Sequence, residues 1–368
     1  MDDGKRKAAG ARQAQDRQRP ITAYDVADLA GVSQSAVSRA FTPGASVSEM
    51  TRMKVMEAAR QLNYRPNLIA RSLMTKRSNL VGVIVPPLEN QFYPAILEAL
   101  SASFSRHGLK MLLFTSRRGM SVEPILDDVL SSRVDALVMV AASVTSRFSD
   151  ECQKIGLPIV LLNRKTDSKL VSSVTGANRA GGQAIADFLM AGEHGSFAYM
   201  AGAGGSSTNR DREVGFCEHL RSHGRTLSHR VSGDYSTEGA VRAARELFGH
   251  QRRPDAIFCA NDHMALATIS IARAEFGIEV GKEVSIVGFD DSDLSGWPIF
   301  GLTTYAQPLE QMVDSVTRII GNQLDNQSEP VTEVEIAGDI IVRTSARIPR
   351  SGVSGPPERR VWTPPAES

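Results

Sequence analysis

The chain has 368 residues, 42% hydrophobic and 23% charged, which is enough for at least two packed units, and no apolar run approaches the roughly 18 residues that a membrane helix requires. Three widely spaced cysteines, Cys152, Cys217 and Cys259, exclude a disulfide framework or a zinc finger, and the first twenty residues lack the apolar centre of a secretion signal, so a cytoplasmic protein is expected. Net charge is only +1, but residues 1–80 hold 14 Lys+Arg against 7 Asp+Glu and the remainder holds 28 against 34. A basic head on an acidic body is the asymmetry expected when one part meets a polyanion.

Residues 1–19, rich in Arg, Gln, Ala and Asp, read as a disordered basic tail. Residues 20–66 carry three helical patterns and no strand. Thr22 and Asp25 make a capping box for the first helix, and Gly31 ends it. Ser33 caps a second over 34–41, which Pro43 and Gly44 break. Ser48 caps a third, with Val55, Ala59 and Leu62 on one face, before Asn63 and Pro66 stop it.

Within this head Ala27, Gly31 and Val37 stand at spacing 0, +4 and +10. Two steeply crossing helices need a small residue at the contact, the turn between them needs positive φ, and the second helix needs an apolar anchor. This predicts a helix-turn-helix. Its second helix turns Gln34, Ser35, Ser38 and Arg39 outward, hydrogen-bonding side chains suited to base edges in a major groove. An ordinary helical hairpin with a polar face is the plainer alternative.

From Leu80 onward, strand-like runs alternate with helix-length segments: LVGVIV at 80–85, LKMLLF at 109–114, VDALVMV at 134–140, LPIVLL at 157–162, SFAYMAG at 196–202, DAIFCA at 255–260 and VSIVGF at 284–289. Repeated strand–helix units predict an α/β body with doubly wound parallel sheets, long enough for two lobes, with ligands at the carboxyl ends of the strands. Residues 349–368, crowded with Pro, Gly and Ser, read as a second disordered tail.

The segments ITAYDVADLAGVSQSAVSRAF, VSEMTRMKVMEAARQLNYRPN and ARSLMTKRSNLVGVIV resemble the head and hinge of the lactose/galactose repressor family (LacI/GalR) of bacterial transcription regulators, and the likeness runs from about Ile21 to Ile348. The resemblance implies that Gln34, Ser35 and Arg39 read bases and that Thr22, Tyr24, Ser33 and Asn67 lie near phosphates. It implies a hinge helix within 67–79, with Leu73 as the residue wedged into the minor groove. Asn67 is a fitting cap for such a helix, and Ala70 is small enough for two hinge helices to touch. It further implies that residues 80–348 have the fold of periplasmic binding proteins and serve as effector-binding and dimerisation domain. The lobes would be about 80–176 plus 307–335, and 177–306 plus 336–348.

Four polar residues match the family's cleft positions: Asn163, Arg212, Asn261 and Asp290, each at or after a predicted strand end. Two amides, a guanidinium and a carboxylate suit vicinal hydroxyls of a sugar, and Phe92, Tyr93 and Tyr235 supply aromatic walls, with Trp297 a candidate to close the mouth. An Arg212–Asp290 ion pair of purely structural role, and an Asn261–Asp262 helix cap, are the plainer readings. Ala177 stands where the family often carries an acidic residue, which puts the effector class in doubt.

GAGGSS at 202–207 lacks the third glycine of a dinucleotide fingerprint. His219 and His223 are four apart on a helical pattern near Cys217, but without a third well-placed ligand they read as a solvated face, so no metal and no cofactor is expected. The expectation is a regulator, not an enzyme: a homodimeric repressor on a near-palindromic operator, controlled by a small carbohydrate-like molecule and with no membrane partner. A solute-binding protein or an enzyme on the same scaffold would have no use for the head.

Overall fold

The computed structural model describes residues 21–42, 44–65, 77–116, 123–142, 145–166, 168, 170–325 and 330–365. The chain divides into two compact units, the first ending at Ser78 and the second beginning at Asn79.

The first unit holds helices α1 (Ala23–Ala30), α2 (Gln34–Ala40) and α3 (Glu49–Gln61). The backbone N–H and hydroxyl of Thr22 both donate to the Asp25 carboxylate, at 2.8 and 2.7 Å, and Gly31 ends α1 at φ 65°. The Ser33 and Ser48 hydroxyls accept from Ala36 and Thr51 and so satisfy the starts of α2 and α3. Val26, Ala27, Val37, Ala40, Val55, Ala58 and Ala59 form the core. Small residues dominate it, so the helices approach closely. Arg52 of α3 donates to the carbonyls of Ala40, at the end of α2, and of Ala45 in the loop that follows, occupying an acceptor that the helix end would otherwise leave open.

The second unit contains two sheets. In chain order its elements are β1 (Leu80–Val85), α4 (Phe92–Arg106), β2 (Lys110–Thr115), α5 (Glu123–Ser131), β3 (Ala136–Val140), α6 (Ser146–Lys154), β4 (Ile159–Leu162) and β5 (Ser172–Gly176). There follow α7 (Asn178–Ala191), β6 (Phe197–Ala201), α8 (Ser207–Ser222), β7 (Leu227–Ser232), α9 (Thr237–Gly249), β8 (Ala256–Cys259), α10 (Asp262–Phe276), β9 (Ser285–Asp290) and β10 (Thr303–Ala306). Last come α11 (Leu309–Asp325), β11 (Glu333–Ile336), β12 (Asp339–Val342), β13 (Val353–Ser354) and β14 (Arg360–Trp362).

The first sheet runs β11-β5-β4-β3-β1-β2, all parallel. One face is covered by α4 and α11 through Phe92, Ile96, Leu100, Phe104, Met312, Val316 and Ile320. Each such side chain stabilises by about 1.5–3 kcal/mol. The other face meets α5 and α6 through Leu126, Val129, Phe148 and Cys152. The second sheet runs β13-β14-β12-β10-β9-β8-β6-β7. Its strands from β7 to β10 are parallel, whereas β12, β14 and β13 add in antiparallel.

The chain passes between the sheets three times: after β5, after β10 and between β11 and β12. The last two passes are packed so closely that a Cβ on Gly338 would lie 1.9 Å from the Ala306 carbonyl oxygen.

Residues 349–368, expected to be disordered, behave otherwise over 353–362. Strand β14 extends the second sheet, and Trp362 is buried edge-on against Phe188 at 5.5 Å between ring centroids. Its indole N–H donates to the Ser351 carbonyl. One tryptophan with a pocket outweighs the Pro and Gly around it, because burying an indole offsets the ordering of several residues.

Candidate functional site

In the head, Gln34, Ser35 and Arg39 are exposed on one side of α2, with Ser38 half-buried, and Tyr24 is 66% exposed on α1. Arg39 Nε donates to the Ser35 carbonyl at 3.3 Å, and the Ser33 and Ser35 hydroxyls bond each other at 2.9 Å. Thr22 and Ser33 therefore hold the starts of α1 and α2. Asn67, Ala70 and Leu73 lie outside the described residues.

In the second unit, polar side chains gather at the carboxyl ends of strands, where parallel sheets open a crevice. Asn90 follows β1, Asn163 and Arg164 follow β4, Tyr235 follows β7, Asp290 ends β9 and Gln307 follows β10. Arg212 rises from the middle of α8 and is 2% exposed. Its Nε donates to Asn178 Oδ1 at 2.8 Å, its Nη1 donates to the Ala260 carbonyl, and its guanidinium lies 3.6 Å from the centroid of the Phe289 ring. Its remaining amino group stands 3.6 Å from the Asp290 carboxylate.

Asp290 Oδ1 accepts from Gln307 Nε2 at 2.7 Å. Burial pushes its carboxyl up to about 7, against the opposing pull of Arg212 and with a further push from Asp262. Burial likewise raises the Tyr93 phenol to about 12, helped by the charges of Asp290 and Tyr235, while Asn90 bonds to it. Arg164 is lowered by burial, an effect opposed by Tyr235 and Tyr93. These groups thus share one electrostatic neighbourhood. Two buried amide oxygens, Asn163 Oδ1 and Gln307 Oε1, accept no hydrogen bond, and Asn163 holds φ 60°, a conformation that asparagine tolerates.

Tyr93, Arg212, Tyr235 and Asp290 are therefore brought together, and Asn163 stands next to Arg164 at the end of β4. Tyr235 lies so flat over Gly202 that a Cβ there would fall 2.1 Å from the ring, and its hydroxyl reaches Thr208 at 3.3 Å. Phe92 corrects the expectation: it is 3% exposed in the core of the first sheet. It begins the apolar row Phe92, Ile96, Leu100 and Phe104, whose four-residue steps put it on the inner face of α4. Asn261 is the cap of α10, its side-chain oxygen accepting from Met264 N at 3.1 Å. Trp297 is 56% exposed beyond the short 3-10 turn at 293–296.

Sequence reasoning missed Asn90, Arg164, Asn178, Gln307 and the role of Asp262. Gln307 could have been found by the strand-end rule, but β10, with the sequence TTYA, has no apolar run to announce it. Asp262 points into the core rather than capping. It accepts from Ser292 N, Ser295 Oγ and Thr304 Oγ1 at 2.8, 2.7 and 2.6 Å, tying the loop after β9 to β10. A side chain on Gly288 would collide with it at 2.2 Å.

Among the described residues no helix is long and apolar enough to cross a membrane. Residues 22–67 match the sequence family "Bacterial regulatory proteins, lacI family" and residues 186–346 match "Periplasmic binding protein-like domain". The chain is 29% identical over 332 residues to catabolite control protein A of Priestia megaterium, covering 89% of this chain and 99% of that one. It is 27% identical to the HTH-type transcriptional repressor PurR of Photobacterium profundum, covering 89% and 98%. Among solved structures, the lac repressor dimer bound to operator and the anti-inducer ONPF aligns with a TM-score of 0.79 at 25% identity, covering 89% of this chain and all of that one. The complex of the transcriptional regulator CelR with cellobiose aligns at 0.68 and 28%, with the same coverage. A capped helix-turn-helix ahead of a two-sheet body with a polar crevice, matched along nearly its whole length by such proteins, places this chain in the lacI family of bacterial transcription regulators.

Proposed function

We propose that this regulator is a repressor that binds a near-palindromic operator as a homodimer and that a carbohydrate in the crevice around Arg212 and Asp290 sets its hold on DNA. The observation that carries the effector class is Gln307 Oε1, a buried amide oxygen that accepts no hydrogen bond while the same side chain's Nε2 holds the Asp290 carboxyl, with Asn163 Oδ1 after β4 a second such acceptor. Buried acceptors without donors are costly, and sugar hydroxyls are donors of the right size. Tyr93 and Tyr235 offer ring faces to the sugar. The cellobiose complex of CelR supports the same class.

On the DNA side, Gln34, Ser35, Ser38 and Arg39 read base edges, and Thr22, Tyr24, Ser33 and Asn67 hold phosphates. Residues 67–79 form the hinge, with Ala70 at the contact between two hinges and Leu73 as the wedge. Effector binding favours one angle between lobes formed by 80–176 plus 307–335 and by 177–306 plus 336–348, and so biases the DNA-binding state. The regulator carries out no catalytic chemistry and works in the cytoplasm with its DNA.

The test is a thermal-shift screen with monosaccharides, disaccharides, sugar acids, sugar phosphates and purines. A ligand at a hundred times its dissociation constant stabilises by about 2.7 kcal/mol. One carbohydrate should shift the wild type and shift N163G far less, glycine being chosen because it keeps the positive φ. A response confined to purines, or equal in both proteins, removes the carbohydrate reading. For the hinge, L73A should weaken specific binding and leave non-specific binding unchanged; equal losses at both would remove the wedge.

A further inference from the structure

Helices α7 and α8 pack against each other through glycine. A Cβ on Gly182 would lie 2.3 Å from the Arg212 carbonyl oxygen, and one on Gly215 would lie 2.1 Å from that of Arg179. Backbones this close let short side chains meet across the pair. Near the two carboxyl ends, Asp187 of α7 meets His219 of α8, with Oδ1 and Nε2 at 2.5 Å. His223 follows one turn later on the same face, its ring centroid 4.7 Å from that of His219. One ligand atom from each of the three residues lies within 4.8 Å of the others. The third ligand absent from the linear pattern is thus supplied by the neighbouring helix, and Cys217 is not part of the group.

We infer that Asp187, His219 and His223 form a binding site for a divalent transition ion of the zinc type, fastening α7 to α8. Two histidines four apart on a helix plus one carboxylate is a zinc donor set that leaves a fourth position for water. Tetrahedral bonds of about 2.1 Å set donors roughly 3.4 Å apart, so Asp187 and His219 part from their hydrogen-bond contact and His223 swings in to close the set. His223 is exposed and free to move. Its Nδ1 lies 3.0 Å from the His219 carbonyl oxygen, and donating there leaves the lone pair on Nε2. Such a second bond is what orients metal-binding histidines. A pocket lined by Met190, Glu193, His194, Gly195, His223 and Arg225 opens beside the His223 ring. Imidazole favours Zn2+, Co2+ or Ni2+ over Mg2+ or Ca2+. The same two helices carry Asn178 and Arg212 at the crevice, so the ion would brace the scaffold that holds Arg212.

The test is titration of the full-length, tag-free protein with Co2+ followed by Zn2+, and competition for Zn2+ with a chromophoric chelator. The wild type should develop visible cobalt bands that one equivalent of zinc per chain bleaches, and its melting temperature should rise with zinc. H223Q and D187N should each lose roughly tenfold or more in affinity and lose the zinc-dependent rise. H229Q, which breaks the other close histidine pair, His229 with His250, should bind as wild type. Should D187N fail to fold, H223Q decides alone, because His223 is exposed. Absence of cobalt bands in the wild type, or undiminished zinc affinity in H223Q, overturns the site.

Discussion

Replacing Arg212 by alanine tests whether the crevice rests on a buried cation. The substitution strips the Phe289 ring of its stacked guanidinium, leaves Asn178 Oδ1 and the Ala260 carbonyl without their donor, and leaves Asp290 without its cation. Breaking a buried pair from one side costs about 3–5 kcal/mol. The cost should also depend on pH. In the wild type Asp290 titrates at about 7 against an ordinary 3.8. A raised carboxyl contributes its stability in full below the ordinary value and loses it as pH rises towards the folded value. Without Arg212 the folded value moves higher still, so the loss continues above pH 7 and the gap between variant and wild type widens from pH 6 to pH 8. Urea unfolding followed by tryptophan fluorescence reads this directly, because both tryptophans of the chain, Trp297 and Trp362, belong to the second unit. A gap below about 1 kcal/mol, or one that is flat with pH, would refute the account of Arg212 as the counter-charge of Asp290.

Three further outcomes are expected. W362A should cost about 3–5 kcal/mol in the same assay, as large-to-small core changes do, whereas a passive tail would leave the midpoint unmoved. S33A removes the cap of α2 and should destabilise the head by about 1 kcal/mol, read as increased amide exchange over residues 34–40 with the second unit unaffected. For a carbohydrate whose hydroxyls donate to the ionised Asp290, affinity should be about tenfold weaker at pH 6 than at pH 8, with proton release on binding at low pH. Calorimetry in buffers of different ionisation enthalpy checks this, and a flat profile would detach Asp290 from the ligand.

The parts of the fold legible in the sequence are those where one physical demand dominates. The head was readable because caps, turn glycine and small contact residues sit at fixed spacings. Strands β1, β3, β4, β6, β8 and β9 were readable because both faces are buried, which forces continuous apolar runs. Strand β7, with every second residue exposed, and β5 and β10, built on Ser and Thr, escaped for want of such runs. The terminal strands escaped because Pro and Gly outnumber the one tryptophan that orders them. In the crevice, Arg212 and Asp290 were legible from family likeness, and Asn163 from its place after β4. Phe92 was misread because the identity of an aromatic says nothing about which face of α4 carries it. Gln307 escaped with the unannounced strand β10 that it follows, and Asp187 was invisible because its partner, His219, is a neighbour only across the fold.

The three passes of the chain between its two sheets also govern when each lobe can close during synthesis. The sheet face that α4 covers in part is not closed until α11 supplies Met312, Val316 and Ile320, and the edge of the first sheet waits for β11 at 333–336. The second sheet waits for β12 at 339–342 and β14 at 360–362. Both lobes are therefore completed only by elements from α11 onward, and neither can finish as an independent early unit. The nascent body keeps apolar helix faces and unpaired strand edges open through most of its translation, a state that invites chaperone engagement. The head, whose core among the described residues lies between Ala23 and Tyr64, is free to fold long before.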